Sequence, residues 1–71
     1  MKITFDPQAD ALYIQFQKNH VSKTIKVRDG ILIDIDKTGH LFGIEILDVS
    51  HRIPKKSIGR VDVNMPVEVA P

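Results

Sequence analysis

Among the nine acidic residues of this 71-residue chain, five are spaced so that they could do chemistry. Asp6 and Asp10 bracket the short segment Asp6-Pro7-Gln8-Ala9-Asp10, and Asp34, Asp36 and Glu45 punctuate two apolar stretches further on. Carboxylates held close together can split their pKa values into an acid and a base, or bind a hard cation through oxygen. A metal-assisted hydrolase or a small-ligand binder is the function such a set would serve. Tyr13, which shares a strand side with Gln15, would add a hydroxyl to it. Structural duties account for the same residues: Asp6 and Asp10 suit turns and caps, and a half-exposed sheet needs polar groups where Asp34, Asp36 and Glu45 stand.

A second candidate is basic. Arg52, Lys55, Lys56 and Arg60 lie in a stretch without an acid, and four fixed cations can neutralise phosphates. A pI of 8.1, one tyrosine and three phenylalanines argue against nucleic acid as the partner, because such binders add strong basicity or stacking aromatics. His20, His40 and His51 are too far apart in sequence for the short pairs that place two imidazoles on one metal. The chain has no cysteine, no serine elbow and no glycine-rich phosphate loop. No catalytic residue, metal ligand or cofactor is therefore assigned.

The elements that must position these groups belong to one small domain spanning residues 1–71, with residues 66–71 as a loose end. At 42% hydrophobic the composition is far from that of a disordered chain, and no run approaches eighteen apolar residues. The amino terminus meets an acid at Asp6 where a signal peptide would be apolar, so the expected location is the cytoplasm. So short a chain buries only about 60% of the surface its unfolded form exposes. Lacking disulfides, it must rely on a well-made core or on association with another copy. Charge is blocked along the chain. Residues 18–28 and 49–60 each carry four cations and no acid, residues 29–48 have a net charge of −4, and residues 61–71 one of −2. Such blocks steer copies together or pair neighbouring strands.

Alternation of period two dominates. Ile3 and Phe5 share a side in residues 1–5, and Leu12, Ile14 and Phe16 do so in residues 11–17. Residues 21–27 alternate weakly, as an edge strand does, and Asp29-Gly30 turns the chain. Residues 31–36 and 41–47 then form the clearest hairpin. A two-residue loop at Thr38-Gly39, or a four-residue loop over 37–40, makes partners sum to 77 and sets Ile35 against Phe42, Ile33 against Ile44 and Ile31 against Ile46. A three-residue loop sums to 76 and scatters the apolar set, so 77 is the expected register. Asp36 would then face Leu41, Asp34 would face Gly43 and Leu32 would face Glu45. Either Ser50 caps a turn or Pro54 opens one at residues 55–58, closed by Gly59. Val61, Val63 and Met65 alternate with Asp62 and Asn64, which predicts a sixth strand before Pro66. The fold class is α+β and mainly β: a single antiparallel sheet or meander of five to six short strands, with one short helical turn near residues 54–58.

Two segments, Phe5-Asp6-Pro7-Gln8-Ala9-Asp10-Ala11-Leu12-Tyr13-Ile14 and Gly43-Ile44-Glu45-Ile46-Leu47-Asp48, resemble the YuzE-like family of small prokaryotic proteins classed as a domain of unknown function. The likeness covers roughly residues 1–53 and is loose after Pro54. It implies an antiparallel sheet with little helix and no established activity, and it defines no functional residues. The family is also similar in size and genomic habit to small partners of putative toxins, so a protein partner is implied as well.

The reading favoured by the residues is a non-enzymatic interaction or regulatory module. Ile3, Phe5, Leu12, Ile14, Phe16, Ile31, Ile33, Ile35, Phe42, Ile44, Ile46 and Val63 would make one apolar face, with no long helix to cover it. A homodimer is the expected consequence. The carboxylate site is the alternative, and phosphate or nucleic-acid binding through residues 51–60 a weaker one.

Overall fold

Strands form where the alternation is cleanest. A computed structural model describes residues 1–66 and contains β1 (Lys2–Asp6), β2 (Ala11–Gln15), β3 (Lys23–Arg28), β4 (Ile31–Ile35) and β5 (Leu41–Leu47). A 3₁₀ turn, η1 (Val49–His51), and a single helical turn, α1 (Lys55–Ile58), follow. The five strands make one open antiparallel sheet in the order β1-β2-β5-β4-β3. The carboxy-terminal strand β5 thus lies at the centre, between the two hairpins that precede it.

The cross-strand pairs Ile3↔Ile14↔Ile44↔Ile33↔Ile25 run the full width of the sheet, and Phe5↔Leu12↔Ile46↔Ile31 form a second row beside them. Facing partners share a side, so one face is apolar. The opposite face carries Thr4↔Tyr13↔Glu45↔Leu32↔Lys26 and Gln15↔Gly43↔Asp34↔Thr24. No helix or second sheet among the described residues lies over the apolar face. Among the described residues the only buried hydrophobic side chains are Phe42 at 9% exposure and Val49 at 0%, while Ile3, Phe5 and Ile25 are each about 40% exposed.

The central hairpin obeys both registers that the sequence offered. Ile31↔Ile46, Leu32↔Glu45, Ile33↔Ile44 and Asp34↔Gly43 sum to 77 as expected, but Ile35 pairs with Leu41 instead of Phe42, and the Asp36 N–H bonds to the His40 carbonyl instead of Asp36 facing Leu41. The loop is therefore the three-residue one, with Gly39 at φ +88° in the left-handed position that such loops require. A β-bulge at Leu41–Phe42 absorbs the extra residue and restores 77 further in. The isoleucines thus keep their common side although the loop is one residue different from the expected one.

The expected sixth strand does not form: residues 61–66 are exposed and make no ladder, so Val63 is not part of the apolar face. The expectation of a loose end after Pro66 falls on residues 67–71, outside those described. Both proposed turns occur, although Ser50 lies inside η1 and the preceding Asp48, at φ 51°, provides no side-chain cap. Among the described residues no helix is long and apolar enough to cross a membrane.

η1 is tied back to the sheet. The Val49 N–H bonds to the Asp10 carbonyl at 3.0 Å, and the Ile53 N–H bonds to the Val49 carbonyl at 2.8 Å. Among the described residues Val49 is the one fully buried side chain, so shortening it removes apolar burial and leaves a void. Val49→Ala should lower stability by about 2 kcal/mol in denaturant melts, against under ~0.5 kcal/mol for Val61→Ala on the exposed segment.

Candidate functional site

The polar face gathers one cluster around Asp34. On β2, Tyr13 pairs with Glu45, and its ring lies diagonally over Gly43 toward β4. A Cβ at residue 43 would collide with Tyr13 Oη and Cζ and with the Ile14 carbonyl. Glycine in the middle of the central strand is thus the gap through which the ring passes. The Tyr13 hydroxyl donates to Asp34 Oδ2 at 2.6 Å, and Thr24 Oγ1, from β3, donates to Asp34 Oδ1 at 2.6 Å. Asp34 therefore links β2, β4 and β3 across the top of β5. Partial burial, then the hydrogen bond to Asp34 and the negative charges of Asp34 and Glu45, push the Tyr13 phenol up to about 12. Such a phenol holds its proton and donates it; it is not a base at neutral pH.

The other acids go elsewhere. Asp36, buried at 8% exposure, sits at the mouth of the central loop. Its Oδ1 accepts from the Thr38 N–H and Oγ1 and from the His40 N–H, and its Oδ2 accepts from Gln17 Nε2. Burial alone would raise this carboxyl; the Thr38 hydroxyl, the His40 N–H, Gln17 and the Thr38 N–H outweigh it and hold it down at about 2. Asp10, in the left-handed region at φ 51°, accepts from the Ser50 N–H at 3.1 Å and from Ser50 Oγ at 2.7 Å. His51 Nδ1 stands 3.8 Å from the same carboxylate. Asp6 Oδ1 accepts the Gln8 and Ala9 N–H groups and closes the β1–β2 turn. Glu45 stays beside Tyr13 on β5.

Thus of Asp6, Asp10, Tyr13, Asp34, Asp36 and Glu45, the structure brings together Tyr13, Asp34 and Glu45 and separates the rest. Among the described residues no three His, Cys, Asp or Glu side chains converge as metal ligands. Asp34, with one hydroxyl on each oxygen, clasps β2 and β3 to β4. Two shallow depressions exist, of about 280 Å³ beside Lys2, Gln15 and Lys18 and about 230 Å³ beside His20, Asp36 and Lys37. Neither is lined by Tyr13, Asp34 or Glu45.

The basic candidates are partly engaged. Arg52 donates from Nε to the Leu47 carbonyl at 2.9 Å and from Nη2 to the Asp29 carbonyl at 2.8 Å, clamping the end of β5 to the β3–β4 turn. Arg60 pairs with Asp62 at 3.1 Å. Lys55 and Lys56 are exposed on α1.

The roles of Thr24, Thr38, Ser50 and Gln17 as partners of the acids are not legible in the sequence, since these are common surface types and the partners of three of them lie ten to forty residues away. Only Asp36-x-Thr38-Gly39-His40 carried a local signal, as an aspartate at the start of a glycine-containing loop.

A family model described as a protein of unknown function, DUF2283, matches residues 2–50, which span all five strands and most of η1. The chain belongs to DUF2283. No curated protein and no solved structure matches it. The DUF2283 match ends at Ser50, so Arg52, α1 and the Val61–Met65 segment lie beyond it.

Two titrations test these clusters. The chain has one tyrosine and no tryptophan, so phenolate absorbance reports Tyr13 alone. Its midpoint should lie at about 12 and fall toward 10 in Asp34→Ala, with the stability Tyr13 contributes present below pH 10 and lost as pH rises through 12. Asp36 acts at the opposite end. Its folded value lies below the ordinary 3.8, so its contribution is present above pH 3.8 and lost as pH falls toward 2. Acid unfolding followed by circular dichroism should be shallower over that window in Asp36→Asn.

Proposed function

We propose that this DUF2283 chain is a non-enzymatic interaction module that self-associates by stacking the apolar faces of two sheets. The observation that carries this reading is the apolar face itself, which spans five strands while Phe42 and Val49 are the only buried hydrophobic side chains among the described residues. Sheets of this kind bury one face against a second layer, and none of the described elements supplies one. Five strands of five to seven residues give a face of about 24 Å by 20 Å, or roughly 450 Å² in projection. Covering both copies removes about 900 Å² of projected face from water, a hydrophobic gain that acts against the translational and ordering costs of association. Side-chain relief brings each face closer to the ~800 Å² that stable interfaces bury per partner.

The polar face supports the same assignment from the other side. Tyr13, Thr24 and Asp34 satisfy one another, and the acids that would make a catalytic pair are spent on separate turns. We also read the chain as one YuzE-like domain of a prokaryotic cytoplasm, on the likeness of residues 5–14 and 43–48.

Sedimentation at tens of micromolar should report a dimer for the parent chain. Ile44→Lys, at the centre of the apolar face, should give monomer or unfolded protein, whereas Leu32→Lys, on the polar face, should leave the dimer intact. A monomeric parent would contradict the proposal outright.

A further inference from the structure

The segment Val61-Asp62-Val63-Asn64-Met65 has the alternation of a strand and no sheet to join. Val61, Val63 and Met65 are 59%, 73% and 66% exposed. Among the described residues no backbone hydrogen bond links residues 61–66 to any strand, and the last one before them runs from the Arg60 N–H to Ser57. Pro66 then supplies the residue type that ends a strand.

The sheet has two open edges, and they differ in charge. β1 carries Lys2 and Asp6 and is neutral, whereas β3 carries Lys23, Lys26 and Arg28 without an acid. Ile25 and Val27 on β3 are 40% and 53% exposed. Edge lysines keep two like strands from pairing, since β3 against β3 would bring six cations together. They do not repel a strand that carries acids. Residues 61–65 hold Asp62 and no cation, giving −1 against the +3 of β3, and within one copy Asp62 pairs at 3.1 Å with the exposed Arg60.

We infer that residues 61–65 add as an edge strand to β3 of a second copy, with Val61 and Val63 against Ile25 and Val27 and Asp62 among the lysines. Main-chain hydrogen bonds supply the affinity of such strand addition, and the charges choose the edge. The occupant is a second copy because, among the described residues, the segment makes no ladder with either edge of its own sheet. This contact uses a surface separate from the stacked apolar faces and rests on the proposed dimer to bring β3 of the second copy within reach. It gives the charge blocks at residues 18–28 and 61–71 a common purpose.

The test uses the full chain in a one-to-one mixture of isotopically labelled and unlabelled protein. Filtered NOEs should connect the Val61 and Val63 methyls of one copy to Ile25 and Val27 of the other. Amides on the outer edge of β3 should exchange about tenfold more slowly than in Val63→Pro, which cannot continue a strand, and this protection should grow with protein concentration. Lys26→Glu should remove the protection, and Lys26→Glu combined with Asp62→Lys should restore it. Equal β3 exchange in parent and Val63→Pro overturns the proposal. So do contacts confined to a single copy, or protection independent of concentration, either of which would mark addition to the chain's own edge. The Val63→Pro readout is local to β3 while the sedimentation of Ile44→Lys is global, so failure of one reading is distinguishable from failure of the other.

Discussion

A single sheet has two faces, and water wets only one of them without cost. In this chain the constraint is set by strict alternation across five strands, which delivers an isoleucine-rich surface to one side and Thr, Tyr, Glu, Asp and Lys to the other. In a larger protein a helix would lie across the apolar side. Here α1 is four residues long and three of them are exposed. On the proposed reading a second copy covers that surface, which accounts for the thin layer and for a buried apolar set, among the described residues, of only Phe42 and Val49.

The polar face complements this by rigidifying the layer from behind. Gly43 removes a side chain from the centre of β5 so that the Tyr13 ring can cross it and reach Asp34, while Thr24 closes the same carboxylate from the far strand. Arg52 and the Asp10–Ser50 contact fasten η1 to two different turns of the sheet. A flat, pre-ordered surface loses less entropy on association than a flexible one, and polar groups that satisfy one another internally need no ligand.

Strand identities were legible because period-two alternation is a local signal, and the 31–34 with 43–46 register was legible because only one alignment put four isoleucines together. The bulge was not. A three-residue loop and its compensating extra residue leave the same apolar pairs in place, so the hydrophobic pattern is blind to the difference; what decides it is the cage of N–H groups and the Thr38 hydroxyl around Asp36, with Gly39 in the left-handed region. The carboxylates read as a possible site for a related reason. Aspartates at turns and on a polar face look alike in sequence whether they hold a cation or a backbone, and only their spatial partners tell them apart. Val61–Met65 has the alternation of a strand yet forms none with the described residues, since alternation says how a segment would pair and not with what.

If a second copy completes the fold, folding and association are one equilibrium, and stability must depend on how much protein is present. The most direct measurement is the thermal midpoint over a hundredfold range of protein concentration. The account predicts a midpoint that climbs steadily with concentration. A midpoint that stays constant across the range would show that one molecule is stable with its isoleucine face in water, and would contradict it.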